Sequence, residues 1–405
     1  MPANHFVLFF PAQGRVPPEK CSIEGGFCLK KMSKATRSKL FNALIILSTL
    51  GLVLYLSARG GDIGDAWRAL RSANPLWIMA AIGSWCVFMT FEAMGLHVFF
   101  HQQQIRVKFG LSLLVALIGS FYSSVTPAAT GGQPMQVLAL KKRNIPAGIS
   151  SSGLAVKFFT FQMALLSLGG LMWILNPGIV QHCVNDAKWI VIAGFALNGL
   201  SVVAVLLLAI NKNIVRGILT LAIRLGKALH LVKDVARTAS RADAAISDFH
   251  ASVDMLTHHP IRLFYLYLLS CLQVLGLMSI VYCVYRALGL TEVGYFDIVT
   301  LQFLLFIGAS FTPLPGASGA QEGGFYIFFQ HVFPADKLVG ALLLWRFFTY
   351  YFTLLVGLTA VITDSVLSMR RYNADKNIVN TQAELNGRHA LPQANIPPDE
   401  EDKQK

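Results

Sequence analysis

Four ionisable residues, Glu92, Lys157, Glu322 and Arg346, stand inside long apolar stretches of the chain. A charge at such depth in a bilayer costs about 2.5 to 3.5 kcal/mol on insertion scales, so each is a candidate functional group. Lys157 and Arg346 open the same short pattern, Lys157-Phe-Phe-Thr-Phe161 and Arg346-Phe-Phe-Thr-Tyr350, 189 residues apart. A buried cation suits a phosphate, and the planar guanidinium of Arg346 can grip two oxygens at once. A glycine- and proline-rich break precedes each cation: Thr126-Pro-Ala-Ala-Thr-Gly-Gly-Gln-Pro134 and Thr312-Pro-Leu-Pro-Gly-Ala-Ser-Gly-Ala-Gln-Glu322. In these breaks Ala129, Gly131, Gly132, Gly316, Ser318 and Gly319 are small enough for a phosphate to approach the backbone closely. Gln133 and Gln321 offer neutral donors, and Thr126, Thr130 and Ser318 offer hydroxyls. The helices restarting at Pro134 and near Glu322 would turn free N–H groups and a positive dipole end toward the interior.

Plainer readings stand beside these. Lys157 can snorkel to an interface. Glu322, whose counterpart in the first break is Pro134, can pair with Arg346 to hold the break together, bind a proton, or recognise a cationic headgroup. The breaks can serve close helix packing. Glu92 is the weakest of the four and can pair with Gln162 or Gln273. Phe158, Phe159, Phe347 and Phe348 read as packing.

Composition settles the medium. Of 405 residues 54% are hydrophobic and only 14% charged, with a mean hydropathy of +0.55, too little polar surface for a water-facing body. The formal charge of +13 therefore speaks of cytoplasmic loops and anionic headgroups rather than of nucleic acid. Six scattered cysteines lack the paired spacing of a zinc or redox motif and read as free thiols. No nucleophile elbow, nucleotide loop or metal-ligating helix motif occurs, and His258-His259 has no partner at ligand spacing. No catalytic residue, metal or cofactor is expected.

Six stretches are long enough to cross about 30 Å of hydrocarbon: 39 to 58, 75 to 100, 151 to 175, 187 to 210, 260 to 287 and 338 to 363. Two shorter ones, 109 to 125 and 296 to 312, run straight into the breaks. Basic residues choose the topology. If each broken segment returns to its own side, the inside collects Lys30, Lys31, Lys34, Arg37, Lys39, Arg106, Lys108, Lys141 to Arg143, seven basic residues in 211 to 259, and Arg370, Arg371 and Lys376. The outside then keeps Arg59, Arg68, Arg71, Lys188, Arg286 and Lys337. The expected fold is an all-α polytopic membrane protein of six spans and two oppositely oriented re-entrant hairpins, near 109 to 143 and 296 to 333, in the cell membrane with both termini cytoplasmic.

The expected organisation is an N-terminal cytoplasmic segment 1 to 38 with a second candidate start at Met32, and a first membrane half 39 to 210. A basic amphipathic segment 211 to 259 follows, with Ile214, Ile218, Leu221 and Leu225 at helical spacing, lying on the inner surface or packed on the bundle. A second half 260 to 365 and a disordered tail 366 to 405 complete it. Gln133 and Gln321 lie 188 residues apart, close to the 189 of the two cations, so the halves read as a duplication. Three spans separate the two breaks, an odd number, which inverts the second copy as in many secondary transporters. Lys157 and Arg346 then sit about 10 Å below opposite faces.

Thr126-Pro-Ala-Ala-Thr-Gly-Gly-Gln-Pro-Met135, the Lys141-Lys-Arg run and Pro313-Leu-Pro-Gly-Ala-Ser-Gly-Ala-Gln-Glu-Gly323 resemble the lysylphosphatidylglycerol synthase transmembrane family, the flippase-like region of the multiple peptide resistance factor. The resemblance covers residues 40 to 365. It implies translocation of an anionic or aminoacylated phospholipid, or of another lipid-phosphate carrier such as a polyprenyl phosphate. The family name also implies lysyl transfer to phosphatidylglycerol. The soluble synthase domain of that enzyme follows its membrane part, whereas 42 residues follow residue 363 here, so lysyl transfer would need a separate synthase or an unrecognised site. An ion channel or exchanger is a third reading of opposed hairpins, and association into a homo-oligomer is open.

Overall fold

The structure is a computed structural model and describes residues 68, 71–217, 220, 243–244, 246–254, 258–310 and 312–368. The expected first span at 39 to 58, the segment before it, much of the 211 to 259 segment and the tail beyond residue 368 lie outside the described residues. The described elements are all helical, with no strand among them. In chain order they are α1 (Pro75–Gln102), α2 (Phe109–Val125), α3 (Gly132–Lys141), α4 (Ala147–Leu175), α5 (Pro177–Cys183), α6 (Lys188–Ile210), α7 (Pro260–Ala287), α8 (Tyr295–Ala309), α9 (Ala320–Phe329) and α10 (Ala335–Ser368). Five of them, α1, α4, α6 with the turn before it, α7 and α10, are long and apolar enough to cross a membrane.

Local chemistry explains the boundaries. The Asn74 side chain accepts the Leu76 N–H at 3.0 Å and Pro75 opens α1, an N-terminus that satisfies an orphan donor and spends no needed N–H. Pro177 and Pro260 open α5 and α7 in the same way. α2 stops where Thr126 turns extended ahead of Pro127. α10 loosens into a π turn over Phe347–Tyr351, directly after Arg346, and then continues.

The element order repeats. α1 to α4 run long, short, short, long, and so do α7 to α10, with first residues offset by 185, 186, 188 and 188. The paired lengths agree too: α1 and α7 have 28 residues each, α3 and α9 have 10 each. Three of the five long helices, α4, α6 and α7, separate the two breaks.

α1 and α7 pack together most extensively, and a glycine sets their approach. A Cβ on Gly276 would lie 3.0 Å from the Phe88 nitrogen and 3.1 Å from the Ser84 carbonyl, so the two backbones touch here, and Ser84 Oγ donates to the Gly276 carbonyl at 2.8 Å. Small residues let helices meet this closely where lipid tails offer no hydrophobic drive to association. On the outside, Leu76, Ile174, Trp189, Leu200, Ile210 and Ile261 stand exposed. α6 buries only a stripe of Val191, Gly194, Asn198 and Val202 and is apolar on its remaining faces, as a helix surrounded by lipid must be.

Gly276→Leu should force α1 and α7 apart and cost about 1 to 3 kcal/mol, the usual penalty of overpacking. A thermal melt in detergent checks this. Gly83→Leu on α1, where nothing lies within 4 Å of the added Cβ, should leave the melting temperature unchanged.

Candidate functional site

The two breaks have the same backbone. Each holds one 3-10 turn, Pro127–Ala129 and Pro315–Ala317, and the left-handed residues fall at equivalent places: Ala128 (φ 50°) with Gly316 (φ 61°), and Ala129 (φ 54°) with Ala317 (φ 50°). Alanine in this region costs on the order of 1 kcal/mol, a strain kept three times here and held in place by the surrounding contacts. The tips meet. The Ala128 N–H donates to the Pro313 carbonyl at 3.2 Å, and the Tyr350 hydroxyl, from the π turn of α10, donates to the Ser124 carbonyl at 3.3 Å.

Arg346 lies at this junction. Its Nη2 stands 2.8 Å from Glu322 Oε1, paired by charge but out of line for a hydrogen bond, and its Nη1 donates to the Gly316 carbonyl at 3.2 Å. Glu322 is the third residue of α9, and its other oxygen accepts the Gly319 N–H at 2.7 Å, which closes the turn that starts the helix. Both side chains are buried, at 6% and 2% exposure. Tyr350 and Trp345 offer ring faces to the guanidinium at 5.7 and 5.3 Å.

What Arg346 does not bond is more informative. Its Nε has no hydrogen-bond partner, and neither do Gln302 Oε1, Gln321 Oε1 and Trp345 Nε1, all buried. These four residues line one cavity of about 290 Å³, whose wall includes both tips (Ala128, Ala129, Gly316, Ala317) and the hydroxyl residues Ser120, Ser124, Thr349, Tyr350 and Thr353. Buried polar atoms are normally satisfied, so such a cluster of unmet donors and acceptors around a space marks a place for a polar guest.

Lys157 occupies a second chamber. It is ion-paired to Glu92 of α1, whose other carboxylate oxygen accepts from Gln273 Nε2 of α7. A Cβ on Gly95 would lie 3.8 Å from the lysine Cγ, an ordinary contact, so the lysine stem runs along α1 here. The chamber, about 320 Å³, is also lined by Gln133 and Gln136 of α3, and it shares Phe88, Ser120 and Ser123 with the Arg346 cavity. A third and larger space of about 790 Å³ adjoins both. It runs between α4 and α6, past Ala155, Val205, Leu208 and Phe249, and reaches Ala128, Ala129, Thr130 and Gln133.

The model for the lysylphosphatidylglycerol synthase TM region matches residues 40–357, well over half of the chain. The chain belongs to this family. The match takes in both breaks and both cations, and with five long apolar helices it makes the chain a multi-pass membrane protein. A UPF0104 membrane protein of Archaeoglobus fulgidus is 22% identical over 309 residues, which cover 73% of this chain and 88% of that protein.

Within this family member, the residues singled out from sequence separate into three groups. Arg346, Gln321 and Gly316 line the tip cavity, while Lys157, Glu92 and Gln133 line the neighbouring chamber. Glu322 lines neither of these two spaces and is paired with Arg346. Thr126, Thr130, Gly131, Gly132, Ser318 and Gly319 mainly build the turns. Thr126 Oγ1 accepts the Gly131 N–H at 2.9 Å, and Thr130 and Ser318 donate to Pro127 and Pro315 carbonyls. Gly132 packs where a Cβ would meet Gly119 and Ser123. The Lys157 amine is held by Glu92. Of the two partners expected for Glu92, Gln273 is used, while Gln162 instead donates to Asn198 and Ser201.

Sequence reasoning missed Gln302, Ser120 and Tyr350. Gln302 had a readable signal, a lone amide in the apolar run Leu301 to Ile307 of α8. It also missed Asp364, buried near the end of α10, which pairs with Arg143 at 2.6 Å and Lys142 at 3.1 Å and so ties the end of α3 to α10.

Removing one member of the Arg346–Glu322 pair should cost about 3 to 5 kcal/mol, because the other charge is left buried alone. Unfolding of Arg346→Ala and Glu322→Leu in detergent should each show this loss. The double variant Arg346→Met/Glu322→Leu should recover most of it.

Proposed function

We propose that the protein moves a phosphate-bearing lipid, of the anionic or lysyl-modified phosphatidylglycerol type or a polyprenyl phosphate, between the leaflets of the cell membrane. The observation that carries this reading is the tip cavity, where a buried guanidinium keeps an unused donor beside three other unmet polar atoms. An arginine held by one carboxylate and one carbonyl has fixed geometry and a free edge, which is what an incoming phosphate oxygen needs.

Three further features support it. The apolar space between α4 and α6 ends on the same tips, so a headgroup could sit at the junction while its chains stay in an apolar setting. The repeated order of α1 to α4 and α7 to α10, with three long helices between the breaks, fits two hairpins that enter the bilayer from opposite faces and meet at their ends. Non-helical backbone is tolerated at membrane depth where protein buries it or it lines a water-filled cavity, and residues of both tips line one cavity. Alternation of the two halves about the tip contact would then expose the cavity to each side in turn. The distribution of basic residues between the loops supports cytoplasmic termini.

The test is reconstitution into liposomes with fluorescent phosphatidylglycerol, lysyl-phosphatidylglycerol and a polyprenyl phosphate followed in parallel. At least one lipid should cross, and Arg346→Lys, which keeps the charge but loses the two-pronged geometry, should slow it about tenfold or more, the scale of one lost charge-assisted hydrogen bond. Equal rates with and without protein for all three lipids would overturn the reading. An ion flux without lipid movement would replace it with an ion pathway.

A further inference from the structure

We propose that the Glu92–Lys157 pair is a proton-binding site through which entry of the lipid phosphate is coupled to uptake of one proton. The proposal rests on the lipid-phosphate reading and adds to it an energy-coupling function in the first half of the molecule.

The argument starts from charge. Among the described residues, the tip cavity and the chamber beside it hold two ion pairs, Arg346 with Glu322 and Lys157 with Glu92, so together they are neutral. A phosphodiester brought there adds one negative charge in a poorly solvated place, which is expensive without compensation. A proton taken up by one of the two carboxylates removes the imbalance.

The two carboxylates are not equivalent. Glu322 is 2% exposed, lines neither of these two spaces, and has both oxygens committed, one to Arg346 and one to the Gly319 N–H. Glu92 is 13% exposed and faces a chamber of about 320 Å³, large enough to hold water. Among the described residues, its only charged neighbour in that chamber is Lys157 from α4. The faces of α2, α3 and α7 turned to it carry Ser120, Gln136 and Gln273, none titratable. The next titratable group on α1, His97, packs on the Phe109 ring outside the chamber. Gln273 is suited to both states of Glu92, since its amide donates to the carboxylate and, once turned over, accepts from the acid.

The step is a simple protonation. A solvent proton bonds to a Glu92 oxygen, Lys157 keeps its own proton, and the ion pair between them is lost. Lys157 is then a free cation separated from the tip cavity only by the wall of Phe88, Ser120 and Ser123 that the two spaces share. It can turn its charge toward a phosphate held at Arg346. One anion and one proton enter together, and the site stays neutral. The duplication thus yields two different cations: Arg346 with a free edge and a fixed carboxylate, and Lys157 locked to a carboxylate that a proton can release.

The experiment measures proton uptake on binding, using the full chain in detergent and weakly buffered solution with a pH indicator. The probe is short-chain phosphatidylglycerol, whose phosphodiester does not titrate near neutral pH. The wild-type protein should take up about one proton per lipid bound, and its affinity should fall about tenfold for each unit rise in pH above neutrality. Glu92→Gln should bind at least as tightly with no proton uptake and no pH dependence. Glu92→Gln/Lys157→Met, which leaves no unpaired buried charge, should bind more weakly than wild type at low pH and also take up no proton. Wild-type binding without proton uptake, or uptake that persists in Glu92→Gln, would overturn the coupling and leave the lipid reading standing. Absence of binding in all three proteins would contradict the lipid-phosphate reading and this inference with it.

Discussion

Backbone that leaves the helix must find new partners for its polar groups, and the rest of this structure depends on how that constraint is met. Two breaks of nearly the same conformation meet tip to tip, one donating its Ala128 N–H to the Pro313 carbonyl of the other. Arg346 reaches the Gly316 carbonyl of the second tip, and Tyr350 reaches Ser124 just before the first. The guanidinium is therefore both a structural tie and a charged group with an unused edge. The close packing of α1 on α7, set by Gly276, holds together the two halves that carry the tips.

Function follows from what this arrangement leaves unfilled. A protein could satisfy its breaks with internal bonds alone, as the threonines of the first break do for their own turn. Around Arg346 it does not: Gln302, Gln321 and Trp345 line the same space, and each keeps a buried polar atom without a protein partner. An apolar passage between α4 and α6 ends at the same point. A guest that is polar at one end and apolar along its length fits this combination. Membership of the lysylphosphatidylglycerol synthase TM family accords with a lipid as that guest.

Much of this was legible in the sequence. The positions of the apolar stretches from 75 onward correspond to the five long helices, because length and hydropathy alone define such elements. The duplication was visible in two short motifs and reappears as matched helix order and matched left-handed turn residues. The pairing of the charges was only half legible. Pairing of Glu322 with Arg346 was one of the readings on offer, but Glu92 meets Lys157 through a tertiary contact between α1 and α4 that no periodicity encodes. The glycines and hydroxyls of the breaks were offered as lipid contacts, yet several spend their hydrogen bonds on the turns themselves, since short side chains satisfy the nearest backbone first. Asp364 escaped notice because it falls at a span end, where a charge is not unusual, and only its burial against Lys142 and Arg143 marks it out.

The central claim is that a lipid phosphate binds at the tip junction. The most direct measurement is an experimental density map of the protein in nanodiscs rich in phosphatidylglycerol. The account predicts headgroup density in the tip cavity, with a phosphate oxygen within hydrogen-bond distance of Arg346 Nε and an acyl chain running between α4 and α6. Well-resolved lipid confined to the outer surface of the bundle, with only water in the cavity, would contradict it.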